Sequence, residues 1–110
     1  MERRENTTVE GKPFSEKTIE AAWAKAKPDP WFSYFRRDIF GITIQKDGYA
    51  TQSKYGWEID HILPVCLGGT DDLENLQPLH WANNMNKRND YPDWEPGHCS
   101  AQTRFAKDQL

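Results

Sequence analysis

Apolar positions change period several times along the chain, and each change marks an element. After a charged, non-periodic stretch (1–13), Ile19, Ala22, Trp23 and Ala26 recur at i, i+3, i+4 and i+7, one stripe of a helix. Ser15 stands where an N-cap belongs, and Pro28 and Pro30 close the element, which predicts a helix from 15 to about 27 with Trp23 as its core anchor. Residues 31–40 mix bulky aromatics with Arg36, Arg37 and Asp38 and read as a short helix. From Gly41 to Gln45 the period falls to two, a strand; Asp47-Gly48 signals a turn, and 49–52 can return beside it. Residues 55–62 form a further strand candidate with Trp57 and Ile59 on one face.

Gly68-Gly69 then breaks the chain, and Asp71 with Glu74 three residues on fits a capped single turn. Residues 76–79 make a very short extended piece containing Pro78, which suits an edge. A helix follows over 80–89, although Asn83, Asn84, Asn86 and Asn89 give it poor intrinsic propensity. Such a helix must be held by contacts from outside itself. Pro92 ends it, and 100–110 can add a last amphipathic turn or two.

The expected product is one small α+β domain, 14–110, behind a loose arm at 1–13. Of the 110 residues 36% are hydrophobic, and five Trp, four Tyr and five Phe make that minority bulky enough for a compact core. A net charge of -3 argues against binding nucleic acid through total charge, so local patches at Arg36-Arg37 and Lys87-Arg88 must carry any phosphate contact. Cys66 and Cys99 have no CxxC spacing and cannot complete a four-ligand zinc site. Without a signal-like segment the expected compartment is the cytoplasm, with both thiols free. No run approaches the roughly 20 apolar residues of a membrane span.

Candidate chemistry gathers in Trp57–Lys87. Asp60, His80 and Asn84 are oxygen and nitrogen donors suited to Mg or Mn, with Zn, Co or Ni as alternatives. His80 and Asn84 are four apart, one turn on a helix face, and Lys87 and Arg88 follow on nearly the same face. Adjacent strand residues point to opposite faces, so Asp60 and His61 cannot both aim at one ion from regular β geometry. An imidazole suits the role of general base at neutral pH, and His61 supplies one. The spacing Asp-His-x(13)-Asn-x(8)-Asn-x(2)-Lys thus offers a metal site, a base and a phosphate clamp. Taken singly, each residue has a blander role: Asn75 as a turn residue, His80 as a helix-start residue, and Arg36-Arg37 as a salt-bridged face.

The run DHILPVCLGGTDDLENLQPLHWANNMNK closely resembles the HNH endonuclease signature, from Trp57 to Asp90. The resemblance implies a ββα-metal unit, two short antiparallel strands and a helix around one divalent ion. It also implies His61 as general base, Asp60 as metal-binding acid, Asn75 as the residue that steadies the loop and orients the base, and Asn84 as the last ligand. Many members have histidine at that last position, so this chain is an H-N-N variant. His80 and Asn83 fall where other members carry the second of two CxxC pairs, and His80 is an additional candidate for the ion. Arg88 stands where toxin nucleases place a third histidine and cannot coordinate; with Lys87 it is expected to contact DNA phosphate. The implied activity is metal-dependent nicking or cleavage of DNA with low sequence specificity, with a homodimer or a phage or restriction protein as further partner. The competing reading is a catalytically weak nucleic-acid-binding module of the same fold that acts only with a partner.

Overall fold

The computed structural model describes residues 4–89, with side chains through Lys87. The first helix, α1 (Glu16–Trp23), starts where expected, with the Ser15 hydroxyl accepting from Thr18 N at 3.2 Å. It stops four residues earlier than its apolar stripe predicts. Lys27–Pro28 instead form a strand, β1, because the residue before a proline disfavours helix and an antiparallel partner is at hand. That partner is β2 (Phe35–Arg37), which replaces the helix expected over 31–40. Flanked on both sides by strands, its backbone groups are satisfied by the ladder, and tertiary pairing overrides local preference.

The third strand, β3 (Thr43–Gln45), completes a sheet ordered β1-β2-β3, in which Arg36 pairs with Ile44 and Arg37 with Thr43. Its partner is β2 and not the segment after the Asp-Gly turn. Lys46–Gly48 instead close a 3-10 turn, and Tyr49 makes a single parallel bridge to Trp57. A second sheet pairs β4 (Trp57–His61) with β5 (Leu76–His80), in register Trp57 with His80, Ile59 with Pro78 and His61 with Leu76. Helix α2 (Trp81–Asn89) follows directly. The sequence-based expectation for 100–110 lies outside the described residues, as does Cys99. Cys66, expected as a free thiol, is disulfide-bonded.

The core lies between α1 and the β4–β5 pair: Phe14, Ala22, Trp23, Ala26, Ile44, Trp57, Ile59 and Leu76 are buried together. The Trp23 and Trp57 rings meet with centroids 5.4 Å apart, and Tyr49 stands edge-on to Trp57 at 4.9 Å. Residues 4–13, expected as a loose arm, are tied to this core. Asn6 Oδ1 accepts from Ile59 N at 2.7 Å and from the Tyr49 hydroxyl at 3.0 Å. That N–H faces away from β5, so Asn6 seals the outer edge of β4, in a left-handed conformation (φ 56°) that asparagine tolerates.

Candidate active site

The pleat of β4 sorts its side chains. Trp57, Ile59 and His61 face α1, where the His61 ring lies 5.9 Å from that of Phe14. Glu58 and Asp60 face α2, which Asn84 and Lys87 meet from the helix side. Asp60 and His61 therefore stand on opposite faces, as regular β geometry requires.

Between β4 and β5 the chain forms the loop 62–75, and Asn75 clips it shut. Its carbonyl accepts from Ile62 N (2.7 Å), its Oδ1 from Leu63 N (2.7 Å), and its Nδ2 donates to Leu63 O and Thr70 O at 3.1 and 2.9 Å. The glycine pair makes this closure feasible. Gly68 sits at φ +99°, and a Cβ on Gly69 would fall 1.8 Å from Leu63 O. The closed loop delivers Asp71, whose carboxylate lies 2.8 Å from His61 Nε2 and also accepts from Val9 N. Nε2 facing a carboxylate carries the proton, which leaves Nδ1 with its lone pair. Sequence reasoning took Asp71 as a turn cap. Its one legible signal was a carboxylate within the loop expected to aim His61.

Helix α2 brings its donors to the other face of β4. Asn84 Nδ2 donates to Glu58 Oε1 at 2.7 Å, and Asn84 is buried. The Lys87 ammonium sits 2.7 Å from Asp60 Oδ2, 2.7 Å from His61 O and 3.1 Å from Ile62 O, while Gln77 Nε2 donates to the same Asp60 oxygen at 2.9 Å. Arg88 is on α2, but its side chain lies outside the described residues.

His80 does not join this group. It pairs with Trp57, and the alternation of β5 puts it on the face opposite Asp60. Both of its ring nitrogens are engaged, Nε2 with Lys54 O at 2.8 Å and Nδ1 with Ala82 N at 3.1 Å, so it caps α2. The contacts of the His80 side chain are thus to Lys54 and Ala82.

Sequence reasoning also missed Asp38, which is buried. Its Oδ1 accepts from Phe40 N and Ile42 N, and its Oδ2 from His80 N (3.0 Å) and Asn83 Nδ2 (2.8 Å). At the two positions where related sequences are expected to place cysteines, one carboxylate here ties the start of α2 to the first sheet. That is the external support the asparagine-rich helix needs.

Among the described residues no group of three or more His, Cys, Asp or Glu side chains converges on one point. The donor set nevertheless fits one hard divalent ion. The Lys87 ammonium, a resident monocation, is cradled by three oxygens, the kind of donor Mg and Mn prefer. Glu58 and Asp60 both lie on this face of β4, Glu58 bonded to Asn84 and Asp60 to Lys87.

This arrangement of two antiparallel strands, an intervening clipped loop and a following helix invites comparison. Residues 45–90 match the HNH endonuclease family. The HNH segment takes in the end of β3, β4, the clipped loop, β5 and α2, and leaves out α1, β1 and β2. Nuclease chemistry on nucleic acid, commonly with a divalent metal, is the family's general activity. No curated protein and no solved structure matches the chain. No helix among the described residues is long and apolar enough to cross a membrane.

Proposed function

We propose that the chain is a metal-dependent DNA endonuclease with 14–110 as its nuclease domain and a ββα core at about 55–90. The reading rests on the HNH segment. Within it, one observation carries the most weight: a three-oxygen cation cradle at Asp60 lies one residue from a histidine held by a carboxylate. Asp60 and Asn84 would hold the ion, Mg or Mn before Zn, Co or Ni. When bound, that ion supplies charge neutralisation for the scissile phosphate and the departing 3′ oxygen.

The chain's own residues do the rest. His61 is the last residue of β4 and its own carbonyl belongs to the cradle, so this reading requires its ring, on the face opposite Asp60, to reach the attacking water round the strand end. There Nδ1 takes a proton from the water as its oxygen bonds to phosphorus. The bond to the 3′ oxygen breaks, giving 5′-phosphate and 3′-hydroxyl ends. Asp71 stabilises the imidazolium so formed and keeps the ring turned. Asn75 acts through the loop, holding Asp71 in place. Lys87 and Arg88 are assigned to the flanking phosphates.

The test is a supercoiled plasmid incubated with Mg, Mn, Zn or EDTA, with His61→Ala in parallel. Nicking that requires metal and vanishes in the variant is expected. Absence of nicking with every ion, or full activity in His61→Ala, overturns the reading. A second reading, a binding module that cuts only with a partner, has one observation in its favour: Lys87 already neutralises Asp60. Stable plasmid retention without nicking in any ion selects it.

A further inference from the structure

The outer face of the first sheet combines features that the HNH segment does not explain. Ile44 is fully buried and pairs with Arg36, so that row points inward. Arg36 spends its charge there, donating to Ala26 O at 2.9 Å with its guanidinium 5.7 Å from the Trp23 ring. Alternation then sends Phe35 and Arg37 outward. On that outer face Lys27 is the direct register partner of Arg37. Two like charges placed opposite each other weaken a sheet, and such a pair is relieved by an anion lying across it.

Beside this pair lies an aromatic platform. The Phe35 ring contacts Tyr34 at 4.7 Å and Tyr55 at 4.9 Å, and Phe32 meets Phe35 edge-on at 6.1 Å. Trp31 is 83% exposed, and Phe32 and Tyr34 are about half exposed at 50% and 49%. Their display is built into the backbone. The Asp29 carboxylate accepts from Trp31 N at 2.8 Å and Phe32 N at 2.9 Å, which fixes the loop while leaving a charged carboxylate near Arg37 on this rim. Those two N–H groups hold the Asp29 carboxyl below its ordinary pKa, and the nearby Arg37 adds to this.

We infer that this face binds an unpaired stretch of nucleic acid, with bases stacked on Trp31 and its aromatic neighbours and the phosphates lying across Lys27 and Arg37. Flat apolar rings beside fixed positive charges match the alternating bases and phosphates of a single strand, whereas a paired duplex hides its base faces. Asp38, the residue after Arg37, bonds to His80 and Asn83 at the start of α2, so the platform is keyed to the element that carries Asn84 and Lys87. The inference rests on the nuclease reading for its choice of ligand and extends it to a second contact with the same substrate.

The experiment measures anisotropy of a labelled 15-nucleotide oligo-dT and a 15-bp duplex in EDTA. It uses the full chain, Trp31→Ala, Trp31→Phe and the double variant Lys27→Glu/Arg37→Glu. Loss of a single stacked base weakens single-strand binding by roughly 5- to 100-fold in Trp31→Ala. Trp31→Phe recovers most of it, and duplex binding does not respond to either change. The charge-reversed variant lowers the slope of log affinity against log salt by about 1.4, two phosphates' worth. Unchanged single-strand affinity in Trp31→Ala, or equal losses for strand and duplex, would overturn the inference. A purified protein partner that needs Trp31, with no effect on oligonucleotides, would do the same. Plasmid nicking by the parent chain is scored separately. Nicking with Trp31-independent binding sinks the platform alone; Trp31-dependent binding without nicking sinks the nuclease reading alone.

Discussion

A carboxylate ten residues down the chain from a histidine holds one of its ring nitrogens at 2.8 Å. Asp71→Ala leaves the His61 ring free to turn and to change tautomer. Turnover in the plasmid assay is expected to drop by about 10- to 100-fold, a share of the 10²- to 10⁴-fold of acid-base catalysis. The melting temperature should move little, because Asp71 is itself partly exposed. Equal turnover in Asp71→Ala would remove it from the proposed site. At Asn84, alanine removes the side chain proposed as a ligand and breaks the bond to Glu58; metal affinity read by calorimetry should fall, and unchanged affinity would reassign the ligand. Residue order made His61, Asn75 and Asn84 legible as a group, because their spacing is local to one strand-loop-helix unit. It could not place Asp38, whose partner His80 is 42 residues away, nor separate His80 from Asp60, since that depends on strand register.

Among the elements, the 62–75 loop and α2 depend on side-chain bonds more than on their own preferences. Asn75→Ala breaks two bonds donated by Nδ2 and leaves Leu63 N without its acceptor, which should cost about 1–3 kcal/mol in denaturant unfolding. Gly69→Ala should cost more than Gly68→Ala. The first places a methyl against Leu63 O, while the second meets no atom and is strained only by its positive φ. A reversed order would show that the loop opens more easily than the clip implies. Elements stated by period alone were found near their predicted places: α1 at its start, β3, β4 and α2. The helix expected over 31–40 failed because a middle strand satisfies its backbone through neighbours that no local window contains.

For the molecule as a whole, the N-terminal segment and the core meet at one titratable group, Tyr49. Burial raises the Tyr49 phenol above its ordinary pKa; the hydrogen bond to Asn6 works against this, and nearby Glu58 adds to the rise. A raised folded value means that this group's stabilisation is complete below the unfolded pKa of about 10 and is lost as pH climbs through the folded value. Alkaline unfolding of Tyr49→Phe should therefore lack part of the steep limb seen in the parent chain; identical limbs would exclude Tyr49 as its source. Trp57→Ala, which empties the centre of the core, should cost about 3–5 kcal/mol and reduce the folded population sharply.

Asn6 has a consequence for how the chain behaves in company. Its side chain stands in for a neighbouring strand on the outer edge of β4, beyond the bridge at Tyr49. Without it, the Ile59 N–H becomes an open docking point for the backbone of another copy, the geometry from which intermolecular sheets grow. A chain trimmed past Asn6 should self-associate in proportion to its concentration in sedimentation velocity, and Asn6→Ala should do so more weakly. Asn6 thus covers a strand edge on which another copy could otherwise pair.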